Sequence, residues 1–211
     1  MRIYENKYIS VTSILGLKQP FNKKSFTDWC SRTGHDPEAI LSTSQTLGEK
    51  VSEAMDNSQK GLDWLTAPPI DVLEANLLDS VKDFLSRYEL ISTEGVVKCK
   101  EFNYAGRYDG VIKDKESGKV FLSDWKTYGA WRNKEYKRVS SKIKKVREQL
   151  SLYAYAMEWE ESLAVVVFKN DGTWDMEELK FDDKIIEWTK THQDLILETI
   201  KNENSKRASK V

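Results

Sequence analysis

The stretch RYDGVIKDKESGKVFLSDWK, residues 107–126, is the part of the chain on which the fold turns. Two apolar runs, Arg107–Lys113 and Val120–Lys126, flank Asp114-Lys115-Glu116-Ser117-Gly118, whose Asp, Ser and Gly are turn formers. The pattern predicts a β-hairpin. Side chains alternate between the faces of a strand, so Val120, Leu122, Asp124 and Lys126 share one face and Phe121, Ser123 and Trp125 the other. Asp124 and Lys126 therefore end an otherwise apolar face, where an unpaired charge is costly. With the turn centred near Glu116, Asp109 falls opposite Ser123 or Asp124. Taken singly, Asp109 reads as a surface residue and Asp124–Lys126 as a strand-end ion pair. Jointly, two carboxylates and an ammonium converge. Adjacent carboxylates repel, and a shared hard cation relieves them. Magnesium takes oxygen ligands and keeps several waters, so two aspartates and a backbone carbonyl suffice to anchor it. Such a cation lowers the pKa of a bound water and neutralises a phosphate. Lys126 would orient that water or stabilise the developing oxyanion as a point charge.

Outward from this hairpin, Val96–Phe102 reads as a further strand. Val139–Glu160 carries Val139, Ile143, Val146, Leu150, Tyr153 and Met157 at spacings of four and three, a helical stripe. Leu163–Phe168 is a continuous apolar strand, Asp171-Gly172 a hairpin turn and Thr173–Leu179 its partner. A last helix is expected over about 182–201, with a frayed polar tail beyond it. On the N-terminal side, residues 7–15 read as a short strand passing into a turn, and Phe26–Asn57 as helix broken near Gly34 and Pro37. Residues 70–90 carry Ile70, Leu73, Leu77, Val81 and Leu85, a second amphipathic helix. The order predicts an α/β (α+β) chain, a central mixed β-sheet flanked by helices with an N-terminal helical extension. One domain over 1–211 is expected: 1–94 mainly helical, 95–180 the catalytic sheet and its helix, 181–211 the C-terminal helix and tail.

Composition narrows the function classes. The formal net charge is only -1, so a globally basic nucleic-acid coat is excluded and any such site must be local. The two cysteines, Cys30 and Cys99, give no disulfide framework and cannot build a four-cysteine iron–sulfur cluster. No stretch approaches the roughly 20 apolar residues of a bilayer span, and the N-terminus lacks a signal-peptide run. The expectation is a soluble cytoplasmic protein, in the host cytoplasm if phage-encoded, with no membrane partner.

Asp109 followed fifteen residues later by Asp124-Trp125-Lys126 resembles the PD-(D/E)XK nuclease superfamily. Ala105-Gly106-Arg107-Tyr108-Asp109-Gly110 is similar to the "aGriD" segment of its RecB-like branch, and Gln149-Leu150-Ser151-Leu152-Tyr153 to the QxxxY motif that follows. Val11-Thr12-Ser13-Ile14-Leu15, then Trp29 through Arg32-Thr33-Gly34, resembles phage and mitochondrial genome maintenance exonucleases of that branch. The resemblance spans roughly residues 8–160. It implies Mg²⁺ or Mn²⁺ on the carboxylates of Asp109 and Asp124 and the backbone carbonyl of Trp125. It makes Lys126 the catalytic lysine, and Gln149 and Tyr153 site residues that help hold DNA or the lysine. In those exonucleases a "GxxxH" segment supplies a metal-binding histidine. Here Gly48-Glu49-Lys50-Val51-Ser52 puts serine at that position, and His35 and His192 lie elsewhere in sequence. Glu49 or Glu53 is the expected replacement ligand.

The substrate surface is expected between Trp131 and Arg147. Arg132, Lys134, Lys137, Arg138, Lys142, Lys144, Lys145 and Arg147 stand there against Glu135, a charge of +7 where the rest of the chain carries -8. A basic stretch beside a two-carboxylate site suits a phosphate backbone. Tyr128, Trp131 and Tyr136 interleave with it and could stack unpaired bases, which favours single strands. The resulting expectation is an exonuclease trimming linear, single-stranded DNA from an end in replication, recombination or repair. A structure-specific endonuclease of the same fold, or a catalytically weakened DNA-binding module, is the alternative.

Overall fold

The computed structural model describes residues 1–63, 69, 71–128 and 139–209, with the side chains of 128 and 139–142 left aside. The first half of the chain runs Ile3–Tyr4 (β1), Tyr8–Ser10 (β2), Val11–Lys18 (α1), Lys23–Thr33 (α2), Pro37–Gln59 (α3) and Val72–Arg87 (α4). Five strands follow: Tyr88–Thr93 (β3), Val96–Cys99 (β4), Tyr104–Arg107 (β5), Gly110–Asp114 (β6) and Val120–Tyr128 (β7). Val139–Met157 (α5), Ser162–Lys169 (β8), Trp174–Leu179 (β9), Asp183–Thr191 (α6) and Gln193–Ala208 (α7) complete the order. The class is the expected mixed α/β.

The predicted hairpin is β6–β7, with Gly110 opposite Ser123 and Lys113 opposite Val120, but its first strand begins at Gly110 and not at Arg107, which ends β5 in a different sheet. It sits inside a five-stranded mixed sheet ordered β3-β6-β7-β8-β9, in which β7 and β8 run parallel and the other pairs antiparallel. The alternation read from residues 120–126 divides two cores. Leu122 joins Leu163, Val165 and Val167 of β8 against Val146, Leu150 and Tyr153 of α5. Phe121 and Trp125 join Ala164, Val166 and Phe168 against Val51 and Met55 of α3 and Leu77 and Phe84 of α4. β8 is thus buried on both faces, as its unbroken apolar run requires.

A second, four-stranded sheet, β1-β2-β5-β4, was not anticipated from the sequence. The run taken as one strand over Val96–Phe102 ends at Cys99, turns through Asn103 at φ 54°, and returns as β5. Residues 88–90, read as the end of a helix, belong to β3: the helical spacing stops at Leu85, and Tyr88 adopts extended backbone (φ -115°, ψ 142°). The expected strand over 7–15 closes after three residues because Ser10 caps α1, its hydroxyl accepting from Ser13 N–H at 3.1 Å. α5 ends at Met157 because Glu158 takes φ 53° and Trp159 N–H reaches back to the Ala154 carbonyl at 2.9 Å. The single last helix is two, divided at His192, whose ring lies 2.9 Å from the Trp188 carbonyl. The tail stays helical to Ala208, held where Asn204 donates to the Asn6 carbonyl at 2.8 Å. Among the described residues, no helix is long and apolar enough to cross a membrane.

Candidate active site

Between β5 and β6 the chain leaves the small sheet and enters the large one, and Asp109 lies in that crossing. Two backbone bonds pin the seam: Tyr108 N–H to the Gly95 carbonyl and Glu94 N–H to the Asp109 carbonyl, both 3.0 Å. Glycines let aromatic rings close over it. A Cβ on Gly106 would stand 2.4 Å from the Tyr153 ring, one on Gly110 2.1 Å from Trp125, and one on Gly95 2.1 Å from Tyr108. The seam therefore requires glycine at these three places for close approach.

Continuing the hairpin register by one residue sets Asp109 against Asp124, the second of the two expected positions. Asp109 Oδ2 accepts the Trp125 N–H at 2.9 Å, which ties the crossing to β7. Asp124 is 1% exposed, a charge that must be compensated locally. Its Oδ1 accepts from Gln149 Nε2 at 3.0 Å, and its Oδ2 faces the Lys126 ammonium in a close ion pair. Gln149 Nε2 also donates to the Tyr153 hydroxyl at 3.3 Å, one helical turn along α5. The Lys126 ammonium lies 3.3 Å from the Trp125 carbonyl, to which it donates. All five expected catalytic residues and the Trp125 carbonyl thus meet in one place.

The electrostatics follow from crowding two carboxylates in a desolvated seam. Burial, then the neighbouring Asp124, push the Asp109 carboxyl up to about 7, although Lys126 and the Trp125 N–H act against this. Burial opposes charge on Lys126, but Asp124 and Asp109 outweigh it and hold the ammonium above the ordinary lysine value. Burial and the Asp124 charge raise the Tyr153 phenol. Among the described residues, the Lys126 ammonium is the one cation that serves both carboxylates, which leaves the oxygen cluster short of positive charge. That deficit, with two carboxylates and a carbonyl as the donor set, fits a hard divalent cation. Among the described residues, no three His, Cys, Asp or Glu side chains are grouped as a metal cage.

Two residues missed by the sequence reading flank the pair. Glu94, at φ 53° in the β3–β4 turn, lies near enough to Asp109 to raise its carboxyl further, and is itself paired with Arg107 Nε at 2.5 Å. Glu94 and Arg107 line two adjoining clefts. One, of about 450 Å³, includes Gly48, Glu49, Ser52, Trp125 and Lys126. The other, of about 200 Å³, includes Asp109, Gln149, Tyr153, Arg2 and Thr12. Nothing in the sequence reading marked Glu94, which reaches the site from the turn between β3 and β4. Ser52 does line the cleft where the histidine was expected, and of the two glutamates it is Glu49 that lines it, its carboxylate held by Gln45 Nε2 at 2.8 Å. His35 packs on Trp29 and His192 on Trp188, and neither lines these clefts.

Of the expected DNA-contacting residues, Trp131, Arg132, Lys134, Lys137 and Arg138 lie outside the described residues, as do Tyr136 and the side chains of Tyr128 and Lys142. Lys144 and Lys145 are exposed on α5. Arg147 is turned elsewhere, its guanidinium 2.9 Å from Asp182 at the start of α6.

A hairpin and a helix bring two carboxylates, a lysine and a glutamine together at a sheet crossing. Residues 24–207 match the model of the PD-(D/E)XK nuclease superfamily, and the chain belongs to that family. It is similar in fold to LHK-Exo in complex with dAMP, with 12% identity over 97% of this chain and 94% of that one, at a TM-score of 0.51. A second structure, an alkaline exonuclease (LHK-Exo) from Laribacter hongkongensis, aligns at 10% identity over 96% and 94% of the two chains, with the same TM-score. No curated protein sequence matches the chain.

Proposed function

We propose that this protein is a Mg²⁺- or Mn²⁺-dependent deoxyribonuclease that removes nucleotides from the ends of linear, single-stranded DNA, in replication, recombination or repair. The observation that carries the reading is the convergence of Asp109, Asp124 and Lys126 on the Trp125 peptide at the sheet crossing. Asp109, Asp124 and the Trp125 carbonyl would hold the cation, whose chemistry is to acidify water and neutralise phosphate charge. Lys126 then stands beside the scissile phosphate, orienting the attacking water and countering charge on the non-bridging oxygens. Gln149 holds one oxygen of Asp124, so the carboxylate presents a fixed edge, and Tyr153 in turn holds Gln149. The end-directed, RecB-like reading draws on the order of motifs from Asp109 to Tyr153.

End-labelled linear DNA and covalently closed circular single strands, each with Mg²⁺ or Mn²⁺ and beside an Asp124→Ala control, test this. Loss of the linear strand alone, absent in the control, is the expected result. Nicking of the circle converts the assignment to an endonuclease of the same fold. Ser52, where the resemblance implies histidine, favours one second reading: a DNA-binding module of weakened activity. Intact linear DNA with either metal, together with retained DNA binding, establishes that reading instead.

A further inference from the structure

Among the described residues, α2 packs on α3. Cys30 is its buried residue, while Lys23, Lys24, Thr27, Asp28, Ser31 and Arg32 are exposed. Along one side runs a ladder of rings. Phe21 and Phe26 have centroids 5.7 Å apart, Phe26 and Trp29 are stacked at 6.2 Å, and Trp29 meets His35 at 5.7 Å. Phe21 is 67% exposed, and Phe26 and Trp29 are half-buried. Part of this has a structural explanation. With Asn22 as the cap, accepting from Ser25 N–H at 2.9 Å, Phe21 and Phe26 occupy the positions of a hydrophobic staple. A staple needs two apolar side chains in contact; it needs neither rings nor a third member. It also leaves Trp29 through Arg32, the motif singled out in the sequence, without a role. α2 carries Lys23, Lys24 and Arg32 against Asp28; at helical spacing Lys23 and Arg32 border the ring side, while Lys24 and Asp28 lie on the opposite side.

We propose that this face of α2 is a stacking platform for the bases of a single DNA strand that leads into the active-site cleft. Rings bordered by cations match a ligand that alternates π-faces with phosphates, because stacking and charge neutralisation are then satisfied along one line. The path is set by the chain itself. α1 begins in the cleft at Val11 and Thr12, α2 follows four residues after α1 ends, and α3 re-enters the cleft lining at Ser44 to Ser52. The eight residues of α1 cover about 12 Å, and four more residues lead to α2. The proposal rests on the nuclease reading for the identity of the strand, and it names single-stranded DNA as what the site is fed.

The test uses the full chain carrying Asp124→Asn, so that cleavage does not intrude, and fluorescence anisotropy with two probes. One is a short oligothymidylate; the other has the same phosphates with abasic sites in place of bases. The base-bearing strand is expected to bind at least about tenfold more tightly, and Phe21→Ala or Trp29→Ala to shrink that ratio by about fivefold each. Phe21 is 67% exposed but belongs to the staple, so circular dichroism checks that both Phe21→Ala and Trp29→Ala are folded. Paired Lys23→Glu and Arg32→Glu should weaken both probes alike and lower the salt dependence. A ratio untouched by Phe21→Ala and Trp29→Ala in folded protein overturns the proposal and leaves the face to a protein partner. Failure of the nuclease reading shows elsewhere, as linear DNA left intact by the wild-type chain. The base-to-abasic ratio is independent of that result.

Discussion

The seam around Asp109 and the surface of α2 are built in opposite ways. At the seam, three glycines admit three rings, Asp109 Oδ2 and both oxygens of Asp124 have named neighbours, and Asp124 is 1% exposed. On α2 the rings follow one another in series from an exposed Phe21 to half-buried Phe26 and Trp29, and the charged side chains are exposed. The first arrangement gives position: a reacting group held within a few tenths of an ångström by packed backbone. The second gives tolerance, because a stacking surface must accept any base. Chemistry and substrate handling therefore make different demands on sequence, and substitutions in the two regions should fail differently.

The largest effect should come from Asp124→Ala, which removes one of the two carboxylates and strands Lys126 and Gln149. Nuclease activity should fall by about a thousandfold or more, measured on end-labelled DNA with saturating metal. Gly106→Ala comes next. Its methyl enters the space of a buried Tyr153 ring and should cost about 1–3 kcal/mol in denaturant unfolding, with loss of activity in the protein that remains folded. Gln149→Ala should reduce metal affinity by about 10- to 100-fold, read by calorimetry with Mn²⁺, because it frees the Asp124 carboxylate to rotate. A more modest effect is pH-dependent. With its carboxyl at about 7 against an ordinary 3.8, Asp109 keeps its proton on folding, so its contribution to metal-free stability is full below 3.8 and is lost as pH rises through 7. A divalent cation needs the ionised form and relieves that loss, so Mn²⁺ should raise Tm more at pH 8 than at pH 6. The smallest effect belongs to the other region: Phe21→Ala should leave unfolding free energy within about 0.5 kcal/mol. A large loss there would erase the contrast.

The same contrast explains what was legible. β6, β7 and α5 announce themselves because burial imposes a period on them, and the Asp114–Gly118 turn fixes the register that brings Asp109 to Asp124. β5 did not, because Tyr104-Ala105-Gly106-Arg107 is too short and too small to show a period; its glycine serves the Tyr153 ring. Glu94 was hidden for a different reason. It reaches the site from a turn joining two sheets, and sequence spacing within one strand carries no information about what the neighbouring sheet delivers. Ser52 was picked out by the resemblance to the GxxxH segment, and it and Glu49 both line the cleft from α3. The split at His192 follows from ring-to-carbonyl bonding that no hydrophobic pattern records.

Asp109 takes its backbone from a crossing between sheets, whereas Asp124 takes its own from the middle of one. Any rotation of the four-stranded sheet against the five-stranded one therefore changes the gap between the two carboxylates, with the Trp125 N–H as the tether that resists. The active site is in this sense a strain gauge. It reports the mutual attitude of two rigid sheets, and a partner or a DNA strand that grips both of them could tune the reaction without touching either aspartate.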